Sequence, residues 1–223
     1  MLGPMRRPAA ALAFSWLLLL LCAAPAFPDR DTGVLAPLLE VQVLDRELVA
    51  IDAEGGGQRT ERLERGERVL YTRSQGRVGV AVTDRRLLAV GTRSGAWQQA
   101  RYRKDEAPPA DVELGDRVAL VLMATRAVGF DGGSRNLVES TLGPRESVLD
   151  TAVGQNVALV VTDRRALGLS SDRGGFFEVR LRSGEKIESV TALANHGTLQ
   201  TSQRLLTFRG ATASWEERRR TLR

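Results

Sequence analysis

Arg86, Arg126, Arg165 and Arg204 stand 40, 39 and 39 residues apart, and Glu47 holds the same place 39 residues before Arg86. Eleven residues beyond four of these five anchors comes a bulky apolar residue: Trp97, Leu137, Phe176 or Trp215. The first unit has Gln58 there and is the degenerate copy. A period of this length constrains the chain more than its composition does. Each unit is one supersecondary element whose apolar face is buried only by its neighbours, so the architecture is a solenoid, a propeller or an array.

Within a unit, apolar residues alternate with polar or small ones over short runs, which is strand periodicity. In the fourth unit the runs are Ser147–Ala152, Val157–Thr162, Ala166–Ser170 and Phe176–Leu181. Turn-forming residues separate them at Gly154-Gln155, Asp163-Arg164, Asp172-Arg173-Gly174-Gly175 and Ser183-Gly184. No unit has room for a helix with an apolar face. Four short strands every 39 residues predict an all-β fold, a five-bladed β-propeller of four-stranded antiparallel blades. The blades divide at about residues 30–65, 66–104, 105–143, 144–183 and 184–223. The strands of a blade are lettered A to D outward from the axis. The first blade takes its A strand from Thr32 to Pro37, and the third starts its A strand after Pro109, because proline donates nothing to a ladder. With an A strand at the start and a D strand at the end, the first and last blades are expected to meet by packing alone, without a shared strand.

Residues 1–26 lie outside the repeat. Arg6 and Arg7 precede an apolar core from Ala9 to Cys22, and Ala24-Pro25-Ala26 offers small residues for cleavage before Phe27, which is a secretory signal pattern. As a helix this core reaches about 21 Å, short of a hydrocarbon layer of about 30 Å. Cleavage is therefore expected, with an uncleaved membrane anchor as the alternative. Lipidation at Cys22 is disfavoured by the bulky Leu21 before it. Export to the periplasm or beyond follows, and the mature chain then contains no cysteine, hence no disulfide, thiol nucleophile or Cys metal site.

The net charge of +5 includes Arg6 and Arg7; residues 27–223 carry 30 basic and 27 acidic side chains. The signs are interleaved, as from Arg59 to Arg65, which describes a solvated strand face rather than a nucleic-acid patch. No nucleic-acid partner is expected. Arg218-Arg219-Arg220, after Glu216-Glu217, reads as an outer-strand face.

Leu88–Trp97 (LAVGTRSGAW) and Leu206–Trp215 (LTFRGATASW) resemble the strand C–turn–strand D stretch of pyrroloquinoline-quinone-type propeller repeats. That resemblance implies a Trp docked between blades and concerns architecture alone. The Thr-Gly turn usual in that family is absent, Leu137 and Phe176 replace Trp in two blades, and no cofactor is expected. VTDRRLLAV also resembles a hairpin of bacterial PH-like domains, through shared turn chemistry.

The B–C corners are the candidate site. They read Asp45-Arg46, Asp84-Arg85, Ala124-Thr125 followed by Arg126, Asp163-Arg164, and Ser202-Gln203. In a meander blade these corners share a face with the D–A turns. The functional reading is a ring of Asp and Arg gripping a carboxylate, a sugar or a partner loop, to which Asp45, Arg46, Asp84, Arg85, Thr125, Arg126, Asp163, Arg164 and Gln203 contribute. The structural reading ties each Asp into its own turn. Convergence of Asp84 and Asp163 on one point is the requirement of the alternative, a small hydrolase or lyase. His196 is the only histidine and belongs to the opposite, A–B end. No metal site, nucleophile elbow or phosphate loop is present in the sequence. The sequence favours an exported, non-catalytic binding or scaffold module for a protein or glycan, touching membrane only through an uncleaved N-terminal segment.

Overall fold

In the computed structural model, residues 37–133 and 136–220 are described. They form five consecutive antiparallel sheets with a period near 40 residues, so the fold is all-β and of propeller type. The first blade holds β1 (Leu39–Leu44), β2 (Glu47–Asp52) and β3 (Gln58–Arg62), which are its B, C and D strands. Its expected A strand lies almost wholly outside the described residues, as does the signal segment. The second blade is β4 (Val69–Gln75), β5 (Val78–Thr83), β6 (Arg86–Gly91) and β7 (Gln98–Arg101). The third is β8 (Glu113–Leu114), β9 (Val118–Leu122), β10 (Arg126–Asp131) and β11 (Asn136–Thr141). The fourth is β12 (Val148–Val153), β13 (Val157–Thr162), β14 (Arg165–Ser170) and β15 (Phe176–Arg180). The fifth is β16 (Ile187–Ala192), β17 (His196–Thr201), β18 (Arg204–Arg209) and β19 (Ser214–Arg219).

The A strand of the third blade does begin after Pro109, but it is only two residues long. The carbonyls of Pro109 and Val112 instead accept hydrogen bonds from the Tyr71 hydroxyl (2.9 Å) and the Arg73 guanidinium (3.4 Å) of the second blade. The other A strands open with a one-residue bulge, between Val69 and Tyr71, Val148 and Asp150, and Ile187 and Ser189. A bulge re-aims the extra side chain, and here it leaves Leu70 and Leu149 exposed.

Strand alternation gives each sheet two faces, and in the middle blades both are buried. Val78, Val80 and Val82 of the second blade pack on Val121, Val128 and Phe130 of the third. Val118 and Leu120 pack on Val160, Leu167 and Leu169 of the fourth, and Leu159 packs on Phe208 of the fifth. Backbone bonds join the A–B ends in series: Arg77 N–H to the Asp116 carbonyl (2.7 Å), Arg117 to Gln155 (2.8 Å) and Asn156 to Ala194 (2.8 Å).

No strand is shared between blades, but the packing of the first blade on the last is not found as a broad contact among the described residues. The reason is compositional. The face of β17 that would meet a further blade carries His196, Thr198 and Gln200 where β13 carries Val157, Leu159 and Val161. At the other end β1 presents Glu40, Gln42 and Leu44, all exposed, where β13 presents Ala158, Val160 and Thr162, all buried.

Candidate functional site

The repeated anchor arginine proves to be the clamp between blades. Arg204 donates to Glu185 through Nε and Nη2 (2.8 and 2.9 Å), to Glu217 through Nη1 (2.7 Å), and to the Arg180 carbonyl of the preceding blade (2.8 Å). Arg86, Arg126 and Arg165 repeat this with Glu67, Glu106 and Glu146, and reach the carbonyls of Arg62, Arg101 and Thr141. Each of these glutamates also accepts the N–H three residues before it in its D–A turn, at Glu64, Arg103, Gly143 and Arg182. Burial alone would raise the Glu146 and Glu185 carboxyls. The bonds from arginine, from that N–H and from Thr162 or Thr201 outweigh it and hold both at about 2. At Glu47 the first blade has no such arginine, and it has no preceding blade among the described residues to clamp.

The B–C corners lie beside these turns. Asp84 Oδ1 accepts the Arg68 N–H (3.0 Å) and Asp163 Oδ1 accepts the Ser147 N–H (3.1 Å), while the Ser202 hydroxyl takes the Lys186 N–H (3.1 Å). These side chains fasten the start of an A strand to its own B–C corner. Asp84 and Asp163 are therefore each tied into a turn of their own blade. Arg126 is buried in its clamp, and Thr125 donates its hydroxyl to Glu106 (2.9 Å). Gln203 is half-buried and gives its N–H to Thr201 (3.3 Å). Asp45 and Arg46 are exposed; Asp45 has φ 50° and Arg46 reaches the Leu63 carbonyl (3.4 Å). Arg85 and Arg164 are exposed too, with Arg85 beside Glu64 (3.4 Å) and Arg164 on the Pro144 carbonyl (3.0 Å).

Sequence reasoning missed the apolar part of this end. Val43 and Leu44 stand at the first B–C corner, and Leu70 and Leu149 are the bulge residues just after two D–A turns; all four are exposed. The fifth large apolar side chain exposed among the described residues, Leu193, belongs to the A–B end. The signal available in the sequence was an apolar pair, Val69-Leu70 and Val148-Leu149, in strands that otherwise alternate. His196 opens β17 at the A–B end and is exposed. Trp97 and Trp215 do dock between blades. Their indole N–H groups donate to the carbonyls of Arg59 (3.0 Å) and Phe177 (2.9 Å) in the preceding blade.

No family model and no curated protein matches this chain. Among solved structures it is similar to yeast RCC1 (Prp20), seen bound to Kap60, at 12% identity and TM-score 0.39 over 77% of this chain and 54% of that one. Human WBSCR16 matches at 14% identity and TM-score 0.37, over 64% and 47%. PorZ of Porphyromonas gingivalis, a bacterial surface component of the type-IX secretion system, matches at 10% and 0.38, over 86% and 27%. The chain spans about half the length of the first two, and no function is carried over from any of them.

Proposed function

We propose that this chain is an exported, non-catalytic binding module that holds a partner protein or glycan on the face built by its D–A turns and B–C corners. The observation that carries this is that four of the five large apolar side chains exposed among the described residues, Val43, Leu44, Leu70 and Leu149, stand at that end, along with exposed arginines. Exposed apolar residues rimmed by polar ones mark interaction surfaces, and arginine is enriched where proteins meet.

The test is capture of partners from envelope extract with wild-type protein, the Leu70→Ser/Leu149→Ser variant and the Leu193→Ser variant. Loss of a captured partner with the double variant alone is the expected result. Equal capture by all three, or loss only with Leu193→Ser, moves the binding face elsewhere.

A further inference from the structure

The four clamps are not equally complete. At the junction of the first and second blades, Glu64 follows β3 and places its carboxylate between Arg85 of the B–C corner (3.4 Å) and Arg101 at the end of β7. Arg101 is the register partner of Arg86, as Arg180 is of Arg165. At the junction of the third and fourth blades, the residues equivalent to Arg85 and Arg101 are therefore Arg164 and Arg180. The residue equivalent to Glu64 is Gly143: both give their N–H to the clamp glutamate three residues on. Two arginines are thus retained where the carboxylate between them is gone.

The other junctions are filled differently. Arg103 and Arg182 occupy the Glu64 position and pair with Glu139 (3.3 Å) and Glu217 (2.5 Å), while the corner residues there are Thr125 and Gln203. In the fourth blade Glu178 pairs with Arg165 (2.7 Å), and neither Arg164 nor Arg180 has a carboxylate partner among the described residues. A cavity of about 360 Å³ lies there, lined by Glu146, Arg164, Arg165, Glu178 and Arg180. Arg165 is correspondingly the least enclosed of the clamp arginines, its side chain 20% exposed against 4% for Arg86, Arg126 and Arg204.

We infer that the gap at Gly143 is a carboxylate-binding site, in which an acidic side chain of a partner protein takes the place that Glu64 holds in the second blade. The inference rests on the reading of this end as the binding face and names the chemistry of one anchor on it. Two guanidinium forks offer a carboxylate several charge-assisted bonds. The group missing from the gap is the tip of a glutamate side chain, and the like-for-like replacement is another one on an approaching loop. Leu149, exposed at the same end of the same blade, gives such a loop an apolar contact.

Gly143 is itself the decisive position for a variant. It does not occupy the left-handed region, and the closest atoms to a Cβ added there are the ends of side chains, Glu146 Oε2 at 3.2 Å and Arg164 Nη1 at 3.3 Å, with Glu146 Cβ in ordinary contact at 3.8 Å. Gly143→Glu therefore restores the second-blade arrangement and fills the site from within. Binding of an acetylated hexaglutamate peptide is measured by calorimetry at low salt, with hexaglutamine and an oligogalacturonate as comparisons. Hexaglutamate is expected to bind at least tenfold more tightly than both. Its affinity is expected to fall at least tenfold in Gly143→Glu and in Arg164→Gln/Arg180→Gln, and to be unchanged in Arg218→Gln/Arg219→Gln. Wild-type affinity in Gly143→Glu, or a loss that follows Arg218 and Arg219 instead, overturns the site; preference for the oligogalacturonate overturns the protein partner. If the peptide does not bind while capture still depends on Leu70 and Leu149, the carboxylate site is wrong and the binding face stands.

Discussion

A single guanidinium explains why Arg86, Arg126, Arg165 and Arg204 recur. It reaches the turn glutamate, its own sheet and the carbonyl of the preceding blade, so removing it leaves a carboxylate buried without a counter-charge. Arg204→Met is expected to cost about 3–5 kcal/mol, because Glu185 is wholly enclosed. Arg165→Met is expected to cost less, since water reaches its clamp; urea titration of both variants checks the order. Acid acts on the same pairs. Glu146 and Glu185 have folded values of about 2 against an ordinary 4.5, so their contribution is present above pH 4.5 and lost as pH falls toward 2. The urea midpoint should drop across that window, and Glu185→Gln should flatten the drop. The anchor position was legible in the sequence as a repeat, but its role was not. The signal was a glutamate 19 or 20 residues before each arginine, a spacing with meaning only once the D–A turn is seen to pass the B–C corner.

At the scale of the strand, hairpins were readable because alternation and turn residues are local. The expected run Val157–Thr162 coincides with β13, and Phe176–Leu181 differs from β15 by one residue. What alternation does not encode is which residue of a break in the pattern a bulge turns outward. Leu70 and Leu149 show such a break only as the second member of an apolar pair, which alternation by itself assigns to neither face. Sheet-to-sheet distance was equally silent in the sequence, and it is set where a glycine lets a large neighbour in. A Cβ at Gly168 would lie 2.5 Å from the Phe208 ring, which packs flat against that strand. Gly168→Ala is therefore expected to destabilise by about 1–3 kcal/mol through overpacking. Thermal unfolding reads this, and Phe208→Leu in the same chain should recover part of it.

Across the whole described unit, four junctions are closed by the clamp and the outermost faces are polar. The count of five blades followed from the period, whereas the polarity of the two outermost faces is set by Glu40, Gln42, Thr198 and Gln200, where every middle blade is apolar. The same comparison between copies locates the candidate anchor at Gly143, where one junction departs from its sister. Thiol labelling tests this account most directly. In a Cys22→Ser background, Gln42→Cys places a thiol on the first blade's outer face, and Val160→Cys places one at the equivalent position between the third and fourth blades. The thiol at position 42 is expected to react as fast as in the unfolded chain, while the one at position 160 reacts only on unfolding. Protection of both to the same degree would contradict it.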